Sequence, residues 1–565
     1  MAGLLGASTA WAAGSASYFS ALPASGSTEL AASSFLASAV SLPNGEVLIA
    51  GGQNDGGSAV QNAALFNPAS GTFTALPASG NTELQTAREG AVAASLPNGQ
   101  VLIAGGYGNG GPLQSAEMFS PATATFTALP ASGNTELQTA GLGAVAAALP
   151  NGQVLIAGGS DGSVVFQSAE LFDPVAGSFT ALPASGNTEL QTARFGAVAV
   201  SLPNGKVLIA GGQATSNGNA LQSAELFDPA TGSFTALPAS GNTELQAARA
   251  GAVATSLPNG EVLIAGGKNS SGTSLQSAEL FNPATETFTA LPASGNTELQ
   301  TARYAAAAAP LPNGQVLIAG GAVSGSHLQS AEVYVSAPQA AVAGGTFGTQ
   351  TVSEPAPESV ITVTNLGAQT LAIARASLGG ADPTDFLIAQ DGCSGRSLTF
   401  AQSCTITAGF TPDSTGTKTA TISLSDNEAA ASTINLAGTG VAPNAGPTGA
   451  TGATGASGTA GAAGANGMVD LISCKSVVTG KRKHRKTVQR CTSRLTSSPI
   501  KITTTARSVT AVLSRNGIVY ATGQAIRSGS HIRMLLIPVD RIHDGTYTLR
   551  LIHDHRTRTN TITIT

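Results

Sequence analysis

Six glutamates recur in one connecting segment of this chain: Glu29, Glu83, Glu136, Glu189, Glu244 and Glu298. In its fullest form the segment reads ASGNTELQTAR, and Arg88, Arg194, Arg249 and Arg303 follow five residues after four of those glutamates. Ser34 and Gly141 hold the arginine's place in the other two copies. Carboxylates and guanidiniums repeated in this way can build a polar collar that meets a sugar or a cation. The same pattern also describes a salt bridge or loop hydrogen bond repeated for structure. Neither reading makes a catalytic centre, which needs unlike groups in unlike environments rather than equal copies. A second set, Glu117, Glu170, Glu225, Glu279 and Glu332, sits inside short apolar stretches and reads as structural. No nucleophile motif, phosphate loop or metal-ligand cluster is recognisable. No catalytic residue, metal or cofactor is therefore assigned, and His553-Asp554-His555 reads as a solvated strand end.

The elements that position these residues repeat. A clear copy is ARFGAVAVSLPNGKVLIAGG, a variable loop, then LQSAELFDPATGSFTALP. Its double glycine falls at 51, 105, 158, 211, 266 and 320, in steps of 53 to 55 residues. A period near 50 with four short strands per unit is the signature of a propeller blade. The first strand is GAVAVSL. LPNG then places Pro and Gly for a tight turn. VLIA is apolar on both faces, as a strand covered on both sides must be. SAELF and SFTALP flank a DPATG turn, and Phe227 and Phe234 can meet across it. The last of these strand types already occurs at Tyr18–Leu22, ahead of any first strand, while the final copy lacks it. A ring of six blades closed by the N-terminal strand follows, with no free edges.

The pattern VLIAGG…SAELFDP…TFTALP resembles bacterial Kelch repeats, the propeller type also found in galactose oxidase, over residues 14–338. It departs from many of them in carrying Phe73, Phe126, Phe179, Phe234 and Phe288 where Trp is common. The resemblance implies binding on the face that bears the second-to-third and fourth-to-first connections. It does not carry oxidase chemistry over. The propeller has no Cys, one His (His327), and Tyr18, Tyr107, Tyr304 and Tyr334 without ligand spacing, so the copper site cannot be built.

Residues 340–442 change character and read as about seven strands. VTNLG, CSGRSLTFAQSCTITAGFTPDSTG and NLAGTG resemble the Hydin/abnormal-spindle type of Ig-like domain. Residues 443–467 carry Gly at every third position, as in collagen. With seven triplets from Gly446 onward and Pro447 the one proline within them, they read as a flexible spacer, with trimerisation as the alternative. Residues 468–565 form a basic, strand-rich domain with 17 Lys and Arg against 4 Asp and Glu, a net +13. The remaining chain has 9 against 27, a net −18, which gives the overall −5. Lys481, Arg482, Lys483, Arg485 and Lys486 concentrate that charge between Cys474 and Cys491.

Two close cysteine pairs, Cys393 with Cys404 and Cys474 with Cys491, fit disulfides in an exported protein better than zinc. Residues 1–13 read as a truncated signal peptide: Ala10-Trp11-Ala12 fits signal peptidase, although the basic start is missing. No apolar run is long enough for a membrane span. The expectation is thus an all-β, secreted or cell-surface binding protein. Its propeller would take carbohydrate or a surface protein, on a polar rim of Glu83, Arg88, Glu136, Glu189, Arg194, Glu244, Arg249, Glu298 and Arg303. Its basic domain would meet an anionic envelope polymer or lipid headgroups rather than nucleic acid. A sugar-active enzyme of the Kelch type, mutarotase or lyase, using the rim Glu and Arg, and a scaffold without a specific site are the alternatives.

Overall fold

In the computed structural model the described residues run from 16 to 443, apart from positions 25, 33, 132, 133, 185, 217, 294 and 295, and resume as seven strands between 469 and 564. The leader-like start, the Gly-repeat stretch 446–467 and the basic positions Lys481, Arg482, Lys483 and Arg485 lie outside them. The chain is all-β: its only described helices are single 3₁₀ turns at Gly26–Thr28 and Pro383–Asp385. Among the described residues no helix is long and apolar enough to cross a membrane. The described residues divide into two units, the first holding the repeats and a sandwich, the second the C-terminal strands.

Each repeat folds as one four-stranded antiparallel sheet, and six such sheets are present among the described residues, an arrangement compatible with a β-propeller. In the fourth sheet the strands are Val198–Ser201, Val207–Ala210, Ala224–Asp228 and Ser233–Ala236. The VLIA strand is buried at all four positions in every sheet, as a strand covered on both faces requires. Third and fourth strands carry the phenylalanine pairs: Phe227 lies opposite Phe234, with ring centroids 4.8 Å apart. In the sixth sheet the fourth strand is Tyr18–Ala21, and Phe19 faces Tyr334 there. A stretch some 310 residues upstream thus completes the sheet that the last repeat leaves unfinished.

The first strands face one another around a common axis, each touching the next and the sixth touching the first. Just before them, six main-chain amides form a closed circuit. Gly90 N–H donates to Leu36 O, Gly143 to Gly90, Gly196 to Gly143, Gly251 to Gly196, Ala305 to Gly251, and Leu36 to Ala305, at 2.7 to 3.0 Å. All six residues have φ between 51° and 64°, a left-handed conformation that suits glycine. Only Leu36 and Ala305 pay the side-chain penalty. The double glycines serve a related need. A Cβ on Gly51 would meet Arg88 O at 2.4 Å, and one on Gly52 would meet Phe35 O at 2.7 Å.

The sandwich after the repeats has a four-stranded antiparallel sheet and a five-stranded sheet. The seven expected strands are present, joined by short ones at Ala340–Ala343 and Arg396–Leu398. Ile361, Ile406, Ile422 and the ring trio Phe347, Phe386 and Phe410 fill its interior. Cys393 and Cys404 form a disulfide beside them. The sandwich is tied to the seam of the sixth sheet. Ala337 N–H donates to Ser17 Oγ at 2.9 Å, and Gln369 Nε2 donates to Ala16 O at 2.8 Å.

The second unit is a seven-stranded sheet. Its strands Val469–Thr479 and Lys486–Leu495 were not expected from the sequence. They pair antiparallel with Cys474 opposite Cys491, the spacing a disulfide there would need. Arg515 pairs with Ile518, and the expected turn residues Asn516 and Gly517 lie outside the described residues.

Replacing Ala305 with glycine should stabilise the chain by about 0.5–1 kcal/mol, because the left-handed penalty exceeds the entropy that glycine adds to the unfolded state. A urea denaturation midpoint that fails to rise would show that the amide circuit carries no such penalty.

Candidate functional site

The four arginines lie inside the sheets rather than on a rim. Arg88, Arg194, Arg249 and Arg303 are buried and pair with Glu117, Glu225, Glu279 and Glu332 of the third strands at 2.7 to 2.9 Å. Each guanidinium also donates to the carbonyl of the first glycine of the pair and to a serine of the third strand. For Arg249 these are Gly266 O at 2.7 Å, Ser277 O at 3.0 Å and Ser277 Oγ at 3.2 Å. The glutamate's second oxygen accepts from the connecting segment, as Glu279 does from Gln246 N–H at 2.7 Å. One buried ion pair therefore clamps a long connection onto the sheet that it feeds. Burial lowers the pKa of each arginine, against the opposing pull of its glutamate. Breaking such a pair from one side costs about 3–5 kcal/mol, because a buried charge is left behind.

The connecting-segment glutamates Glu83, Glu136, Glu189, Glu244 and Glu298, and Glu29 with them, are half-buried and stand one per repeat. None makes an ion pair among the described residues. The structure does not join them to the arginines that follow. The physical reason is register: five residues on, the guanidinium has turned inward to the third strand and its glutamate.

Two repeats depart from the clamp. In the first, Ser34 replaces the arginine and Ala64 replaces the glutamate, so both charges vanish together. In the third, Gly141 replaces the arginine but Glu170 stays. Glu170 accepts only main-chain bonds, from Gln138 N–H at 2.9 Å and Thr139 N–H at 3.4 Å, and burial raises its pKa.

The axial space between the first strands, about 180 Å³, is lined only by Ala and Val side chains and can hold no acid, base or nucleophile. Unlike groups gather instead at the positions just after the arginine and just after the double glycine, on the face that bears the long connections. Phe35 stacks on His327 with centroids 4.8 Å apart and meets Tyr304 edge-on at 5.3 Å. Lys268 Nζ lies 3.5 Å from the centre of the Tyr304 ring. His327 Nδ1 lies 3.4 Å from Asp55 Oδ1. Gln53 bridges to Phe35 through the main chain, and its side chain bonds to Glu89, which in turn bridges to Tyr107. Burial raises the pKa of Glu89 against that hydrogen bond, and Glu89 Oε2 has no hydrogen-bond partner. Four neighbouring repeats thus supply one connected patch of aromatic, acidic, amide and basic groups. The equivalent positions opposite carry Leu142, Ser160, Phe195 and Gln213.

Sequence reasoning weighed Tyr304 only as a copper ligand, placed Lys268 and His327 in the variable second-to-third loops that suit either a binding rim or unconstrained loop tips, and passed over Phe35 and Glu89. The available signal was variation at one fixed position between otherwise near-identical repeats. Among the described residues no group of His, Cys, Asp or Glu is arranged to hold a metal. No protein-family model matches the chain, and no curated protein matches it.

The raised pKa of Glu170 fixes a sign. The folded chain holds this proton more tightly than the unfolded one. Stability from this group is therefore full below the usual carboxylate range and is lost as pH rises through the raised folded value. Glu170→Gln should gain on the native chain as pH rises from 4 to 7 in paired thermal melts. A difference that stays flat with pH would contradict the assignment.

Proposed function

We propose that the chain is an exported, non-catalytic binding protein whose six sheets form a Kelch-like six-bladed propeller, followed by an Ig-like sandwich. Its ligand is carbohydrate, taken on the patch of Phe35, Tyr304, His327, Lys268, Glu89 and Tyr107. The observation that carries this reading is the contrast between that patch and its frame: unlike groups occur there on a scaffold that otherwise repeats itself. Half-buried rings give flat apolar surface for sugar faces, while Glu89, Gln53 and Lys268 supply hydrogen bonds to hydroxyls. Loop positions on a rigid scaffold are the usual place for such recognition.

Glu89 favours a second reading, a sugar-active enzyme. A carboxyl with a raised pKa and one unpartnered oxygen suits proton transfer. Titration of the full chain against a panel of polysaccharides and oligosaccharides tests both. Tyr304→Ala and Phe35→Ala should each weaken binding about tenfold with little change in melting temperature. Glu89→Gln should retain binding in a lectin and abolish turnover in an enzyme. A chain that binds no glycan, or binds equally after both ring removals, rules out the patch.

The net +13 of residues 468–565 supports a second contact, with an anionic envelope polymer or lipid headgroups. Co-sedimentation of the full chain with envelope should then be released by salt, and removal of residues 468–565 should abolish it. Salt-resistant pelleting would refute the electrostatic contact.

A further inference from the structure

Glu170 is the one member of its set that keeps its carboxylate while its repeat has lost the arginine. The groups that hold the guanidinium elsewhere are all retained. In the second repeat they are Gly105 O and Ser115 O, which share Arg88 Nη1 at 2.8 and 2.9 Å, and Ser115 Oγ and Glu117 Oε1, which share Nη2 at 3.2 and 2.8 Å. Their counterparts in the third repeat are Gly158, Ser168 and Glu170, and these line a small cavity together with Gly141 and Thr139. Exposure shows that the place is uncovered. Glu170 is 5% exposed where its four counterparts are at most 1%. Gly158 is half-buried where Gly105, Gly211, Gly266 and Gly320 are buried.

We propose that this cavity is a binding site for one guanidinium group supplied from outside the chain, either a small free guanidino compound or an arginine side chain of a partner. The acceptors are laid out for a planar fork with two nitrogens, not for a point charge, which argues against a monatomic ion or an ammonium. The cavity is about 10 Å³ as it stands, room for a single water. Phe166 stands beside Gly141 at its edge: the ring would lie 3.2 Å from a Cβ on Gly141. Phe166 stands where the other repeats have Val60, Leu113, Leu221, Leu275 and Leu328, and it is half-buried, so it acts as the gate. Gly141 itself is not in the left-handed region, and a Cβ there would meet Phe166 and the main chain of Ser160 at 3.2 to 3.3 Å, so an arginine at that position needs its neighbours to give by a few tenths of an ångström.

The test is calorimetric titration of the full chain with methylguanidinium chloride, against ammonium and potassium chloride at equal ionic strength. One saturable site is expected for methylguanidinium alone, tighter in Phe166→Leu. It should weaken about tenfold or more in Glu170→Gln, where the charge-assisted bond is lost. In the double variant Gly141→Arg with Phe166→Leu the chain's own guanidinium fills the cavity, so binding should vanish while the melting temperature rises. A capped Gly-Arg-Gly peptide separates the sources: if it also binds, a partner's side chain can reach the site, and if it does not, the ligand is a small free ion. Absence of methylguanidinium binding to both the native chain and Phe166→Leu overturns the proposal. So does equal binding by potassium, or binding that survives in the double variant.

Discussion

The circuit of six main-chain hydrogen bonds around the axis is the constraint on which the rest depends. Each amide donates to the repeat before it, so no repeat can tilt or shift without stretching two bonds. The circuit demands a left-handed residue at one position per repeat, and four of the six are glycine. It also fixes where the preceding residue must be: directly after each inward-turned arginine, on the open face. The frame thereby sets both the buried clamp and the variable patch. The arginine anchors the segment from below, and the residue after it is held out above. Small first-strand side chains follow from the same closure, since six strands meeting at one axis leave room for little beyond Ala and Val.

Much of this architecture was legible because it rests on main-chain needs that recur with the period. The double glycines, the LPNG turns, the doubly buried VLIA strands and the stray N-terminal strand each state a backbone requirement that only certain residues satisfy. The arginine clamp was harder to read. Sequence spacing puts Arg249 five residues after Glu244, yet its partner is Glu279, 30 residues on and across a sheet. Proximity in sequence misled because the connection is extended and reverses. The patch was harder still, since Phe35, Lys268 and Tyr304 come from different repeats and nothing local marks them. The two strands flanking Cys474 and Cys491 were hidden by charge, because a Lys/Arg-rich stretch looks like a loop even where its backbone pairs.

The repeats also read as an internal set of substitutions. Where the arginine and glutamate are both gone, at Ser34 and Ala64, the sheet survives with an uncharged interior. That agrees with the general finding that a buried ion pair adds less stability than its removal from one side subtracts. The clamp is therefore a device for positioning the connection more than for holding the sheet together. The third repeat sits between these two states, with desolvation already paid by Glu170 and no cation from its own chain.

The seam of the sixth sheet bears on how the chain matures. The strand at Tyr18–Ala21 is made well before its partner at Ala331–Val335, so it must wait unpaired while five repeats emerge behind it. The main-chain circuit cannot close until then either, because Leu36 donates to Ala305. Ser17 and Ala16 at this seam are held by the sandwich that follows. Ring closure is thus a late event that depends on a downstream neighbour. A chain threaded N-terminus first across a membrane would reach the far side with its fold still open, and would lock only when the strand at Ala331–Val335 and the sandwich after it arrived.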